Sequence, residues 1–166
     1  MDSRRLDNEI KEQVVTLARA LGENGMMLAA AESCTGGWVA KVCTDLSGSS
    51  KWFERGFVTY TNESKQEMLG VSAETLSRHG AVSEETVAEM ATGALEHSRA
   101  QSSVAISGIA GPGGGSEDKP VGTVCFGWGM EGSRVDTESC RFDGDREAVR
   151  AQAVVHALQG LIARLQ

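Results

Sequence analysis

The chain has 166 residues and a formal net charge of −7, with 16 Lys and Arg against 23 Asp and Glu. This balance excludes non-specific association with nucleic-acid phosphates, which needs a surplus of basic side chains, and a hydrophobic content of 40% excludes a disordered acidic tail. The longest apolar run, Met26 to Ala31, is far short of the ~18 residues of a membrane span. Met1 to Leu6 has no apolar stretch behind its charges, so no secretory leader is expected. A cytoplasmic protein is predicted, built as one domain over residues 1–166 and without nucleic-acid or membrane partners.

Leu6, Ile10, Val14, Leu17, Ala18 and Leu21 repeat at helical spacing, with Gly22 and Gly25 as the stop. Met26 to Ala31 reads as a short strand buried on both faces, and Gly36 to Cys43 as the helix after it. Phe53 to Tyr60 alternates and is rich in β-formers, which predicts a second strand. Asn62 is placed to cap a helix that runs to Leu69 and stops at Gly70. Ser83 opens another helix, with Val87, Met90, Ala91, Ala94 and Leu95 as its apolar positions. Val104 to Ile109 reads as a strand that leads into the loop Ala110 to Pro120. Thr123 to Trp128 and Arg134 to Phe142 read as an antiparallel pair, and a last helix runs from about Asp143 to Ala163. Alternation of helices and strands predicts an α/β fold: a single three-layer α/β/α domain with a mixed, mostly parallel central sheet.

Of 20 glycines, nine fall between Gly108 and Gly132, so this region calls for close backbone approach. The four cysteines (Cys34, Cys43, Cys125, Cys140) form no C-x-x-C pair, and His79, His97 and His156 stand at no metal-ligand spacing. A metal site is therefore not expected. Cys43, Cys125 and Cys140 read as small buried hydrophobes.

In open α/β sheets, ligands gather at the carboxyl ends of the strands. The turn Glu32-Ser-Cys-Thr-Gly-Gly37 reaches that edge with two adjacent nucleophiles, Ser33 and Cys34. The N–H groups of Thr35, Gly36 and Gly37 are placed to receive an oxyanion or a phosphate; the plainer reading is that Ser33 or Thr35 caps the following helix. Lys65 shares a helix face with Met68 and Leu69 and has no acid within one turn. It is either a snorkelling stem with its ammonium in water or a lysine whose pKa is lowered by desolvation, fit to act as a general base. A Cys34–His79 pair is conceivable. Arg146 and Arg150, one turn apart, are balanced either by Asp143 or Asp145 or by a substrate phosphate. The glycine loop, with Gly108, Gly111 and Gly113, would let main chain approach such a phosphate.

Ala31-Glu-Ser-Cys-Thr-Gly-Gly37, Asp45-Leu-Ser-Gly-Ser-Ser50, Tyr60-Thr-Asn-Glu-Ser-Lys65, Gly80-Ala-Val-Ser-Glu84 and Ser107-Gly-Ile-Ala-Gly-Pro-Gly-Gly-Gly115 with Lys119-Pro-Val-Gly-Thr123 resemble the CinA C-terminal domain family, and within it the stand-alone nicotinamide mononucleotide deamidases. The likeness spans about Val14 to Leu161; the extra N-terminal domain of two-domain CinA proteins is not expected in a chain of this length. The resemblance implies hydrolysis of the nicotinamide amide of nicotinamide mononucleotide to nicotinate mononucleotide and ammonia. It places the family's proposed serine, tyrosine and lysine on Ser33, Tyr60 and Lys65, with no cofactor, and suggests a homodimer. The alternative is a non-catalytic mononucleotide-binding or regulatory module of the same family.

Overall fold

The computed structural model describes residues 2–166. Helix α1 (Ser3–Asn24) leads into β1 (Leu28–Glu32), α2 (Trp38–Thr44), a 3-10 turn at Ser49–Lys51 and β2 (Phe53–Val58). Three helices follow, α3 (Asn62–Leu69), α4 (Ala73–His79) and α5 (Glu84–Glu96), and then the strands β3 (Ser102–Gly108), β4 (Thr123–Met130) and β5 (Asp136–Arg141). Helix α6 (Arg146–Leu165) closes the chain. The strands form one sheet in the order β2-β1-β3-β4-β5. β1 is parallel to β2 and β3, while β4 is antiparallel to both β3 and β5, so β4 alone runs against the rest. Helices cover both faces, as the alternating pattern predicts.

Strand alternation divides the core in two. Leu28, Ala30, Val104, Ile106, Val124, Phe126 and Trp128 face α1, α2 and α6. Leu17, Leu21, Leu158 and Leu161, fully buried on that side, contribute about 1.5–3 kcal/mol each by leaving water. Ala29, Ala31, Ala105 and Cys125 face α3, α4 and α5. This second face is built of small residues, and α5 sits close upon it. A Cβ at Gly127 would stand 2.6 Å from the Val87 carbonyl oxygen, and buried Ser103 Oγ donates to the Ala91 carbonyl at 2.8 Å. One layer further out, a Cβ at Gly93 of α5 would run into the carbonyl of Leu69, where α3 ends.

Several boundaries differ from the sequence reading. α1 continues through Gly22 and ends at Gly25, whose φ of 63° makes it the left-handed cap. Thr61 rather than Asn62 caps α3, its hydroxyl accepting from Ser64 N. The short helix α4, capped by Ser72, escaped periodicity because Leu76 is its single buried residue. β2 stops at Val58, yet Thr59 N still donates to Glu32 O at 2.9 Å. That last bond holds the chain extended where it enters the site.

Candidate active site

Parallel pairing sets the register: Glu32 lies level with Val58 on one side and with Ile106 on the other. One residue further, Thr59, Ser33 and Ser107 therefore stand in a row across the carboxyl ends of β2, β1 and β3. By alternation with Phe57, Ala31 and Ala105 they point toward the α3–α5 side. All three are buried, and no described residue bonds the hydroxyls of Thr59 and Ser107. A buried hydroxyl without a partner is costly, and two of them flank Ser33.

Lys65 projects into this row from α3. Its side chain is 1% exposed, so it does not snorkel. Nζ donates to the Thr59 carbonyl at 2.9 Å and the Tyr60 carbonyl at 3.2 Å, and lies 3.0 Å from Ser33 Oγ. No carboxylate pairs with it among the described residues. Burial holds its pKa below the ordinary lysine range. A neutral amine has two N–H groups and one lone pair. Both carbonyls can only accept, so they take the two N–H groups and leave the lone pair facing the Ser33 hydroxyl. Leu69 shares the buried face of Lys65; Met68, expected there, is exposed.

Neither Ser33 nor Thr35 caps α2. Gly37 holds the N-cap position, with φ of 102°, and the capping falls to Glu32, which the sequence reading did not single out. Its carboxylate, 1% exposed, accepts from Thr35 Oγ1 at 2.7 Å, Val39 N at 2.8 Å and Ala40 N at 3.1 Å. An acid at a helix N-terminus is stabilising, and this one ties the Ser33 turn to the helix. Its sequence signal was a charged residue continuing a buried apolar run. The Gly36 N–H closes the turn on the Ser33 carbonyl at 3.0 Å, so it is not free for an oxyanion. The N–H groups of Thr35 and Gly37 meet no acceptor among the described residues.

The remaining expected residues divide. Tyr60 touches Lys65 through its carbonyl only; its ring is exposed and its hydroxyl accepts from Arg146 at 3.1 Å. Arg146 also donates to the Gly111 carbonyl at 2.8 Å, joining the glycine loop to the end of β2. Arg150 donates to the carbonyls of Cys34 (2.9 Å) and Thr35 (3.3 Å) and lies 5.4 Å from the Trp38 ring centre. Neither arginine pairs with Asp143 or Asp145; Asp145 instead caps α6 by accepting from Ala148 N. Gly108 and Gly111 are demanded by their neighbours, since a Cβ would stand 2.7 Å from a methyl of Val124 or 2.5 Å from one of Val121. Around Gly113 the space is open. Cys34 is buried, and that burial pushes its thiol up to about 11, which leaves almost no thiolate at neutral pH. His79 lies near Glu85, not Cys34.

Fold and site together define an α/β/α domain in which a buried hydroxyl and a buried amine meet at the strand ends. The chain matches the CinA C-terminal domain family over residues 8–165 and belongs to it. It is 57% identical over 156 residues to nicotinamide-nucleotide amidohydrolase PncC of Escherichia coli (strain K12), covering 93% of this chain and 94% of that one. The protein of the same name in Pseudomonas putida is 51% identical, covering 91% and 96%. Among solved structures, the competence/damage inducible protein CihA of Agrobacterium tumefaciens superposes with a TM-score of 0.92 at 46% identity, covering 95% of this chain and 96% of that one.

Proposed function

We propose that this chain is an amidohydrolase that converts nicotinamide mononucleotide to nicotinate mononucleotide and ammonia, with Ser33 as nucleophile and Lys65 as base. The carrying observation is the 3.0 Å contact between Ser33 Oγ and a buried Lys65 Nζ; the two relatives named as nicotinamide-nucleotide amidohydrolases support the substrate class. Lys65 accepts the hydroxyl proton as Oγ bonds to the carboxamide carbon. The tetrahedral oxyanion falls to main-chain donors of the turn, Thr35 N–H first, with Gly37 beside it; such a donor contributes about 3–4 kcal/mol. Lys65 then returns its proton to the departing nitrogen, the C–N bond breaks and ammonia leaves. Water, deprotonated by the same amine, cleaves the ester at Ser33 and regenerates the hydroxyl.

The unpartnered hydroxyls of Thr59 and Ser107 are the polar groups the carboxamide meets on either side of the nucleophile. Tyr60 holds Lys65 by its carbonyl and Arg146 by its hydroxyl, so it positions both. Arg146, exposed and without a carboxylate, anchors the substrate phosphate where the glycine loop lies open at Gly113; Arg150 braces the Ser33 turn. The test is ammonia release from nicotinamide mononucleotide beside free nicotinamide, with Ser33→Ala as the control. Turnover of the nucleotide that vanishes in Ser33→Ala is the expected result. Silence of the unaltered protein toward both compounds would leave a nucleotide-binding module and end the enzymatic reading.

A further inference from the structure

Cys140 and Glu138 lie two residues apart on β5 and so share a face, the one that α6 crosses with His156. Cys140 Sγ is 3.1 Å from Glu138 Oε1 and 3.5 Å from His156 Nε2, and that nitrogen is 3.2 Å from the same carboxylate. Three kinds of ligand atom, sulfur, nitrogen and oxygen, thus converge on one point from two rigid elements. Tetrahedral zinc with bonds of about 2.3, 2.0 and 2.0 Å to such atoms sets them about 3.3–3.6 Å apart; the observed triangle is within a few tenths of an ångström of that at every edge. The imidazole is already fixed: its ring centre is 4.6 Å from that of Phe126 and 5.9 Å from those of Trp128 and Phe142. Glu138 is exposed and Cys140 half-buried, so an ion can enter from solvent.

We propose that Glu138, Cys140 and His156 form a binding site for a thiophilic divalent transition-metal ion of the Zn2+ type, with the fourth position open to water. A thiolate–imidazole–carboxylate set suits borderline-soft ions and disfavours Mg2+ and Ca2+, which take oxygen ligands. The ion would tie β5, an edge strand held by β4 alone, to the helix that runs across it. The site lies on the α6 side of the sheet and is independent of Ser33 and Lys65. The sixteen-residue gap between Cys140 and His156 hid it from spacing rules.

The whole chain, stripped by a chelator, is titrated with Zn2+ and, separately, Co2+. One Zn2+ per chain by calorimetry and a thiolate-to-cobalt charge-transfer band, erased by Zn2+, are expected. Cys140→Ser loses the band. Glu138→Gln, a surface change that leaves the fold intact by circular dichroism, weakens Zn2+ binding by more than about tenfold, at least what loss of an outer-shell partner costs. Absence of saturable one-to-one binding, or full affinity in the Cys140→Ser/Glu138→Gln double variant, overturns the site.

Discussion

The amine of Lys65 rests against the hydroxyl of Ser33 with both of its other hydrogen-bond directions occupied by main-chain carbonyls. This arrangement gives a neutral lysine one role, that of acceptor from the serine. Ser33→Ala and Lys65→Ala are therefore each expected to cut ammonia release by on the order of 10⁴–10⁶-fold, the scale of losing one member of a nucleophile–base pair. Lys65→Arg should fail equally, because a guanidinium does not deprotonate in water. Steady-state rates with circular dichroism on each variant check this; undiminished turnover in Ser33→Ala would remove the serine from the mechanism.

Lys65 titrates below its ordinary range because burial penalises its charge. The unfolded chain, with lysine near about 10.4, thus binds more protons between the two pKa values, so stability rises with pH across that window. Its contribution is complete above the unfolded value and is lost as pH falls through the folded one. Activity should follow the neutral form, with an acid limb in kcat/KM whose midpoint lies below an ordinary lysine. Lys65→Met should flatten the rise in stability seen in alkaline denaturant titrations.

Glu32 satisfies three donors at once, two of them buried and one half-buried. Glu32→Ala leaves Thr35 Oγ1 and the N–H groups of Val39 and Ala40 unpaired, at about 1–3 kcal/mol for each buried donor stranded. With roughly 2–4 °C of melting temperature per kcal/mol in a chain of this size, a drop visible by calorimetry is expected. Because the same carboxylate shapes the Ser33 turn, any folded fraction should show reduced kcat. A variant that keeps both melting temperature and kcat would contradict this account of Glu32.

Ser107 and Thr59 carry the reverse expectation. Their hydroxyls have no partner to lose, so Ser107→Ala and Thr59→Val should leave stability unchanged or slightly raised. Kinetics, however, should suffer, with KM or kcat for the nucleotide altered several-fold. Normal kinetics in both variants would show that the carboxamide docks elsewhere.

The two arginines should separate in one experiment. Arg146→Ala is expected to raise KM for the nucleotide with little thermal cost, since its side chain lies on the surface. Arg150→Ala releases two carbonyls of the turn and should lower melting temperature and kcat together. Parallel behaviour of the pair would break the distinction between anchor and brace.

Helix periodicity revealed α1, α5 and α6 because each buries one regular stripe, turn and cap residues with the stop at Gly70 marked α3, and short apolar runs located β1 and β3. Burial of Lys65 was one of the two readings left open by Leu69 one turn on and the lack of a nearby acid. Its meeting with Ser33 was not readable, for that depends on the level at which β1 and β2 pair, which no local pattern encodes. Glu32 stayed hidden for a related reason: two of its partners are main-chain N–H groups, and these carry no side-chain signature. The aspartates, one of the two balances offered for Arg146 and Arg150, are near in sequence but pair with neither, and Asp145 instead closes the start of α6. His156 escaped notice because proximity to Cys140 arises only when α6 folds back across β5.

The absence of a side chain at Gly93 reaches further than its own helix. Because the end of α3 abuts it through the carbonyl of Leu69, a methyl at position 93 has no room unless α3, and Lys65 with it, shifts relative to α5. A seam between two helices, outside the candidate site, thus helps to set where the amine of Lys65 stands relative to Ser33.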